Sequence, residues 1–239
     1  MMTHPLVSGV FGGVPPSTLL SGLSLYLKLD EAGGTRSDSS GNVTALTDNN
    51  TCLSAAGQVG NAVALVAASS QYLSHASVAA LGVSGAFTLS VWARLATKTA
   101  TMRLISKDDG ASREYILYYD TSADRWTFAV FVGGVGGGFT SVVASTFGAV
   151  PTATWHYVVA GYNAVAQQVF VGVNGGAQNT TGGVASVFDG TSVFEIGAGA
   201  GGQYFDGAAD EVKLWNTRML SSAEIAEDRA NGLAGRALL

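Results

Sequence analysis

Cysteine is nearly absent from this 239-residue chain: Cys52 stands alone, which excludes an internal disulfide and any multi-cysteine zinc or iron–sulfur site. A single thiol of this kind is expected to act as a small apolar side chain, buried or half-buried. Charge is scarce as well. Lys and Arg number 12 against 17 Asp and Glu, a net charge of −5, and the charged share is 12% where soluble proteins carry about 25%. The cations are scattered singly, so nothing would neutralise a row of phosphates and nucleic acid is not an expected partner. Hydrophobic residues make up 47% of the chain, too many for a chain that stays disordered. Long hydrophobic runs are missing, because Ser, Thr, Asn, Lys or Asp breaks each one short of the roughly 18 residues a membrane helix needs. A soluble protein with no membrane partner is the expectation.

What is present is mostly strand and turn chemistry. Residues 1–22 carry breakers at Gly12-Gly13 and Pro15-Pro16 and no regular period, so they are expected to form an arm or linker, held by the chain's own domain or by a neighbouring subunit. No Lys or Arg precedes Lys28, so the basic start of a secretory signal is missing and the chain is expected to remain where it is made. From Leu23 a period of two sets in: Leu23, Leu25, Leu27 and Leu29 alternate with Ser24, Tyr26 and Lys28, as in a half-buried strand. The same alternation marks Phe87–Leu95, Trp126–Val132, Val169–Val173 and Val212–Leu214. Shorter β-branched and aromatic runs bring the expected count to ten to twelve strands. It places Leu25, Leu27, Leu89, Val91, Phe128, Val171, Val212 and Leu214 on core-facing positions.

Turn residues agree with that reading. Asn174-Gly175 offers the two positive-φ positions of a type I′ turn, and the Gly133–Gly138 cluster separates two neighbouring strands. One helix is expected, capped by Ser221 and Glu224, running over Ala223–Ala230 and ending at Asn231-Gly232. Many strands, close turns and one terminal helix predict a single antiparallel β sandwich.

Several blocks occur in a familiar order. Leu25-Tyr26-Leu27-Lys28-Leu29-Asp30 with Asp38-Ser39-Ser40-Gly41-Asn42, then Gly57–Val63, Gln71-Tyr72-Leu73, Phe87–Ala93, Trp155–Tyr162, Val171–Gly175 and Phe205–Asn216 together resemble laminin-G-like, concanavalin A-like domains over roughly residues 23–232. The resemblance implies two curved antiparallel sheets in a jelly roll, with first and last strands adjacent, forming a domain at 23–239 behind the arm at 1–22. It does not imply one function, since relatives include glycan-binding modules, adhesion domains, some glycoside hydrolases and structural parts of assemblies.

Hydrolysis needs two carboxylates facing each other across the scissile bond. The Glu-x-Asp-x-x-Glu and Glu-x-Asp-x-Glu strand patterns that such hydrolases carry do not occur here, and Asp206, Asp210 and Glu211 fall in the closing block, where the common role is structural. His156 sits in the Trp-His-Tyr-Val block, where an imidazole at a sheet edge is expected. No Gly-x-Ser-x-Gly elbow accompanies it, and His4 and His75 stand isolated. No enzyme activity is therefore expected. If a metal is held, the resemblance points to a rim calcium near Asp38, Asn42 and Asp210; the alternative is that Asp38 and Asn42 make Asx-turns and Asp210 bonds backbone amides. For a glycan site the exposed-aromatic candidates are Tyr118, Trp126 and Tyr204, whereas Trp92, Trp155 and Trp215 match framework positions packed between the sheets or against the arm.

Two function classes follow. The first is a non-catalytic structural or surface-display subunit, a bacteriophage virion protein of capsid or tail, whose partners are other subunits of a particle or of a homo-oligomer such as a trimer. The alternative is a glycan-binding lectin or adhesion module, extracellular or on a cell surface. The low charge, the apolar arm and the missing signal favour the virion.

Overall fold

The computed structural model describes residues 17–134, 137–200 and 202–239. Along the chain the strands are β1 (Leu25–Leu27), β2 (Thr47–Asn49), β3 (Leu53–Ala56), β4 (Asn61–Leu65), β5 (Tyr72–His75), β6 (Phe87–Leu95), β7 (Met102–Asp108) and β8 (Arg113–Asp120). They continue as β9 (Arg125–Phe131), β10 (Phe139–Val143), β11 (His156–Asn163), β12 (Gln168–Val173), β13 (Asn179–Gly182), β14 (Phe194–Ile196) and β15 (Gly207–Trp215), followed by the helix α1 (Ser222–Leu233). Every strand pairing is antiparallel, and the strands form two sheets. The first runs β13-β12-β11-β6-β15-β4-β3, with β1 added alongside β15; the second runs β10-β9-β8-β7-β14-β5-β2. β15 is long enough to pair with β4 through Gly207–Ala209 and with β1 through Val212–Leu214, so the first and last strands are adjacent.

The period of two fills the space between the sheets. All eight residues expected to face inward, from Leu25 to Leu214, belong to the main core cluster. The opposite face of the first sheet is apolar too: Tyr26, Trp92, Tyr157, Phe170 and Trp215 form a second cluster with Leu19, Leu23, Leu220 and Ile225. That layer sits under α1, so both faces of this sheet are buried. Trp215 packs against the arm, one of the two places expected for it, and donates its Nε1–H to the carbonyl of Leu19, 2.7 Å away; the expectation is corrected for Trp92, which packs on the outer side of the sheet against Gly232 of α1 and not between the sheets.

A β-bulge in β15 between Asp210 and Lys213, with Glu211 at φ 52°, turns two successive side chains out of the core before Val212 resumes it. Lys213 therefore also lies in the outer layer, 3% exposed. Its ammonium meets Glu211 at 2.9 Å and Asp228 of α1 at 3.2 Å, above the ring of Tyr26. Tyr26 Oη donates to Glu211, and Ser90 Oγ and Tyr157 Oη both donate to Asp228 at 2.8 Å. Removal from water would lower the Lys213 pKa, but the two carboxylates outweigh it and the ammonium is held above its ordinary value.

The helix starts as expected, with the reciprocal Ser221–Glu224 capping box. Its end does not. Asn231 and Gly232 remain helical, and a Cβ on Gly232 would collide with the Trp92 indole, so this glycine serves close packing. The left-handed residue is Gly235 at φ +65°, and the Gly235 and Arg236 amides close a Schellman pair onto Gly232 and Asn231. The Asn174-Gly175 turn has both positive φ angles, 53° and 74°. Fifteen strands exceed the ten to twelve expected, because β2, β3 and β13 are short, half-exposed edge segments without hydrophobic alternation.

Residues 1–16, most of the expected arm, lie outside the described residues. The remainder docks on its own chain: Leu19 is buried, and Arg218 donates to the carbonyls of Ser21 and Thr18. Cys52 is buried, and burial, with Asp48 beside it, pushes its thiol up to about 12.

Candidate functional site

Among the described residues no helix lies over the outer face of the second sheet. Tyr115, Leu117, Tyr119, Phe128 and Val130 face the core, so their strand neighbours Ile116, Tyr118, Ala129 and Phe131 necessarily face outward, where they form a small apolar cluster. Phe139 of the edge strand β10 is the register partner of Phe131, with ring centroids 5.8 Å apart and Phe139 61% exposed. Across β7, Arg103 is the register partner of Tyr118, and the segment ahead of β15 places Gln203 beside it: the Arg103 amide donates to the Gln203 carbonyl, and Arg103 Nε donates to Gln203 Oε1 at 2.6 Å. All of these but Ala129 and the core-facing residues, together with Arg113 and Thr101, line a groove.

Its electrostatics are organised by a carboxylate beneath it. Asp108, fully buried, accepts from Arg113 Nε at 2.9 Å on one oxygen and from Arg113 Nη2 at 3.0 Å and Arg103 Nη1 at 2.8 Å on the other, while the Gly110 amide completes its shell. Burial alone would raise this carboxyl, but the Arg113 and Gly110 hydrogen bonds and the two guanidinium charges outweigh it and hold it below its ordinary value. The Arg113 guanidinium also stacks on Phe131, 4.1 Å from the ring centroid. Two cations and an aromatic tier are thus fixed in place before any ligand arrives.

Of the three aromatic residues expected to face a glycan, Tyr118 lies in this groove. Trp126 does not. It is fully buried between the sheets, stacked on Phe205 and edge-on to Tyr119, because the alternation that puts Phe128 and Val130 inside puts Trp126 there too. Tyr204 packs against Tyr72 of β5 at 6.1 Å, with β14 and β7 between that strand and β8, so it belongs to a different part of the face. Sequence reasoning missed Arg103, Arg113, Phe131, Phe139 and Gln203. The signal was the apolar outward phase of β8 and β9, which α1, the one α-helix among the described residues, does not cover because it packs on the other sheet.

The proposed calcium ligands do not converge. Asp38 accepts the amides of Tyr26, Ser40, Asn42 and Val43 at 2.8–2.9 Å and the Ser40 hydroxyl at 2.7 Å. Asn42 points its amide nitrogen at the Leu23 carbonyl. Asp210 Oδ2 is held instead by the Gln58 and Val59 amides. A calcium ion needs six to eight converging oxygens, and among the described residues no group of three or more His, Cys, Asp or Glu side chains could hold a metal ion. The residues do not fit the ion; the hydrogen bonds are those of Asx-turns and a loop anchor. The other closing-block acids are likewise engaged, Asp206 by the Ala67 amide and Thr97, Glu211 by Tyr26 and Lys213.

His156 corrects a further expectation. β11 is flanked by β6 and β12, and the ring is buried between Trp126 and Phe147, away from any sheet edge. Burial pushes its pKa down to about 4. The unfolded chain, with an imidazole near 6.5, binds the proton more readily, so the neutral ring adds stability that is full above about pH 6.5 and lost as pH falls toward 4. Urea unfolding across that window should show His156→Phe becoming progressively more stable relative to the parent as pH drops. A pH-independent difference between the two proteins would contradict the buried neutral imidazole.

Comparison with known proteins agrees with the architecture. The family model described as the concanavalin A-like lectin/glucanases superfamily matches residues 67–226, well over half of the chain. A search of curated proteins gives no match. Among solved structures, domain 4 of an extracellular arabinanase from Geobacillus stearothermophilus, solved with arabinotriose, superposes with a TM-score of 0.65 at 19% identity, covering 87% of this chain and 98% of that one. The binding domain of Paraclostridial Mosquitocidal Protein 1 superposes at 0.71 with 15% identity, covering 88% of this chain and 52% of that domain. A Trypanosoma rangeli sialidase gives 0.60 at 20% identity, with 98% of this chain covering 35% of the enzyme. At these identities the likeness shows the fold.

Proposed function

The chain belongs to the concanavalin A-like lectin/glucanases superfamily, and from that premise we propose that it is a non-catalytic glycan-binding module whose site is the groove on the outer face of the second sheet. The observation that carries this reading is the aromatic tier of half-buried Tyr118 and exposed Phe139 beside two guanidiniums already fixed by Asp108. Aromatic faces pack against the apolar faces of sugar rings, and the guanidiniums and Gln203 supply donors and an acceptor for hydroxyls. Among the residues lining the groove none is acidic, so no pair of carboxylates stands ready for hydrolysis there. The arabinanase domain with arabinotriose, nearly all of which this chain matches, supports a sugar-binding use of a sandwich of this size.

A glycan panel screened by calorimetry tests the reading. Tyr118→Ala and Phe139→Ala should each weaken binding about 3–10-fold, the value of one aromatic contact, while Tyr204→Ala leaves it unchanged. Equal loss at Tyr204, or none at Tyr118, would move the site elsewhere.

The chain's low charge and the apolar stretch ahead of the domain favour a second reading, a subunit of a larger particle such as a bacteriophage virion. Because Leu19–Gly22 dock on the domain itself, the test is to delete residues 1–16: the particle reading expects a folded protein that no longer incorporates, whereas a free lectin keeps its glycan affinity.

A further inference from the structure

We infer that the glycan group anchored in this groove is a carboxylate, presented end-on to Arg113, so that the ligand is an acidic sugar of the uronic or nonulosonic type. The inference rests on the glycan-binding reading of the same groove and adds its chemical class. The two oxygens of Asp108 take the Nε and Nη2 side of the Arg113 guanidinium. A guanidinium has five N–H donors in a planar fork. The side-on grip of Asp108 therefore leaves the parallel pair on the Nη1–Nη2 edge, which matches the two oxygens of a carboxylate.

Three further observations point the same way. Arg113 is 32% exposed at its side chain while Asp108 is fully buried, so the occupied edge faces the protein interior. Its guanidinium is held at two points by Asp108 and rests over the Phe131 ring, so little side-chain freedom remains to be lost on binding. Of the eight residues lining the groove two are cationic and none is acidic, in a chain whose net charge is −5. Arg103, 8% exposed and tied to Asp108 and Gln203, adds a second positive charge at the wall. Glu195, half-buried on β14, lies in the field of Arg103 but does not line the groove. Tyr118 and Phe139 then receive the apolar face of the sugar ring whose carboxylate Arg113 holds.

The test compares oligogalacturonate, oligomannuronate and an N-acetylneuraminyl oligosaccharide with the same three after reduction of each carboxyl to the primary alcohol, and with a sulfated neutral oligosaccharide. Wild-type protein should bind at least one acidic probe about tenfold or more tightly than its reduced form, the value of a hydrogen bond to a charged group, and added salt should narrow the gap. Arg113→Gln, checked for an intact melting transition, should bind the acidic and reduced forms alike. The comparison of probes on wild-type protein stands without that variant. Equal binding of acidic and reduced probes, or binding of the sulfated probe alone, overturns the carboxylate and leaves the glycan groove standing. Binding of no probe at about 1 mM overturns both.

Discussion

Replacing Lys213 by Met is expected to cost about 3–5 kcal/mol of stability, because it leaves two buried carboxylates facing each other without their cation. Glu211 and Asp228 are 2% and 1% exposed, and each lies within 3.2 Å of the Lys213 ammonium. Glu211 keeps the Tyr26 hydroxyl, and Asp228 keeps those of Ser90 and Tyr157. Hydroxyl dipoles do not neutralise two negative charges in a site that has lost its water. For a chain of this length such a loss lowers Tm by roughly 6–20 °C. The coupling is checked by neutralising all three groups: Lys213→Met with Glu211→Gln and Asp228→Asn should recover most of the loss, since a buried ion cluster adds little over a neutral one of the same shape. A single variant within 1 kcal/mol of the parent in urea unfolding would mean that solvent reaches the cluster. The network also says why α1 stays on the sheet: Asp228 is the helix's charged anchor and Ile225 its apolar one.

How far the residues foretold this arrangement depends on which signal each element carries. Strands buried on the core face announce themselves by period two, and all eight inward positions named from it lie in the core. The edge strands β2, β3 and β13 have no buried face to alternate and stayed invisible. The Ser221–Glu224 cap is a local signal and was legible; the helix end was not, because Gly232 is there to let the helix pack against Trp92, a strand residue some 140 positions earlier, and not to end it. For the site, Tyr118 was found as an aromatic, but its partners Arg103, Arg113 and Phe139 lie on three different strands and meet only through register. Trp126 was mistaken for a surface residue although its own strand period placed it beside Phe128. The Trp126–Val132 alternation puts Trp126 in phase with Phe128 and Val130, on the core side, and that phase outweighs its availability as an aromatic outside the framework positions.

Leu89→Ala should destabilise the fold by about 2–5 kcal/mol, whereas Leu53→Ala should stay within about 0.5 kcal/mol. Both remove the same atoms, so the difference isolates position. Leu89 is at the middle of β6, the strand bonded to β15 on one side and β11 on the other, with Leu214 and Ala160 as its register partners. It is fully buried, and Leu53, on the edge strand β3, is 59% exposed. A cavity at Leu89 cannot close easily, because collapse would have to pull a strand that is hydrogen-bonded along both edges, and the unrelieved void adds to the lost transfer energy. At β3 there is no void to leave. Chemical unfolding of the two variants side by side reads the contrast directly. Similar losses from both would show that β6 does not turn Leu89 into the space between the sheets. The register that places Arg103 opposite Tyr118 on the far sheet rests on the same alternation, so the groove and the core stand on one physical argument.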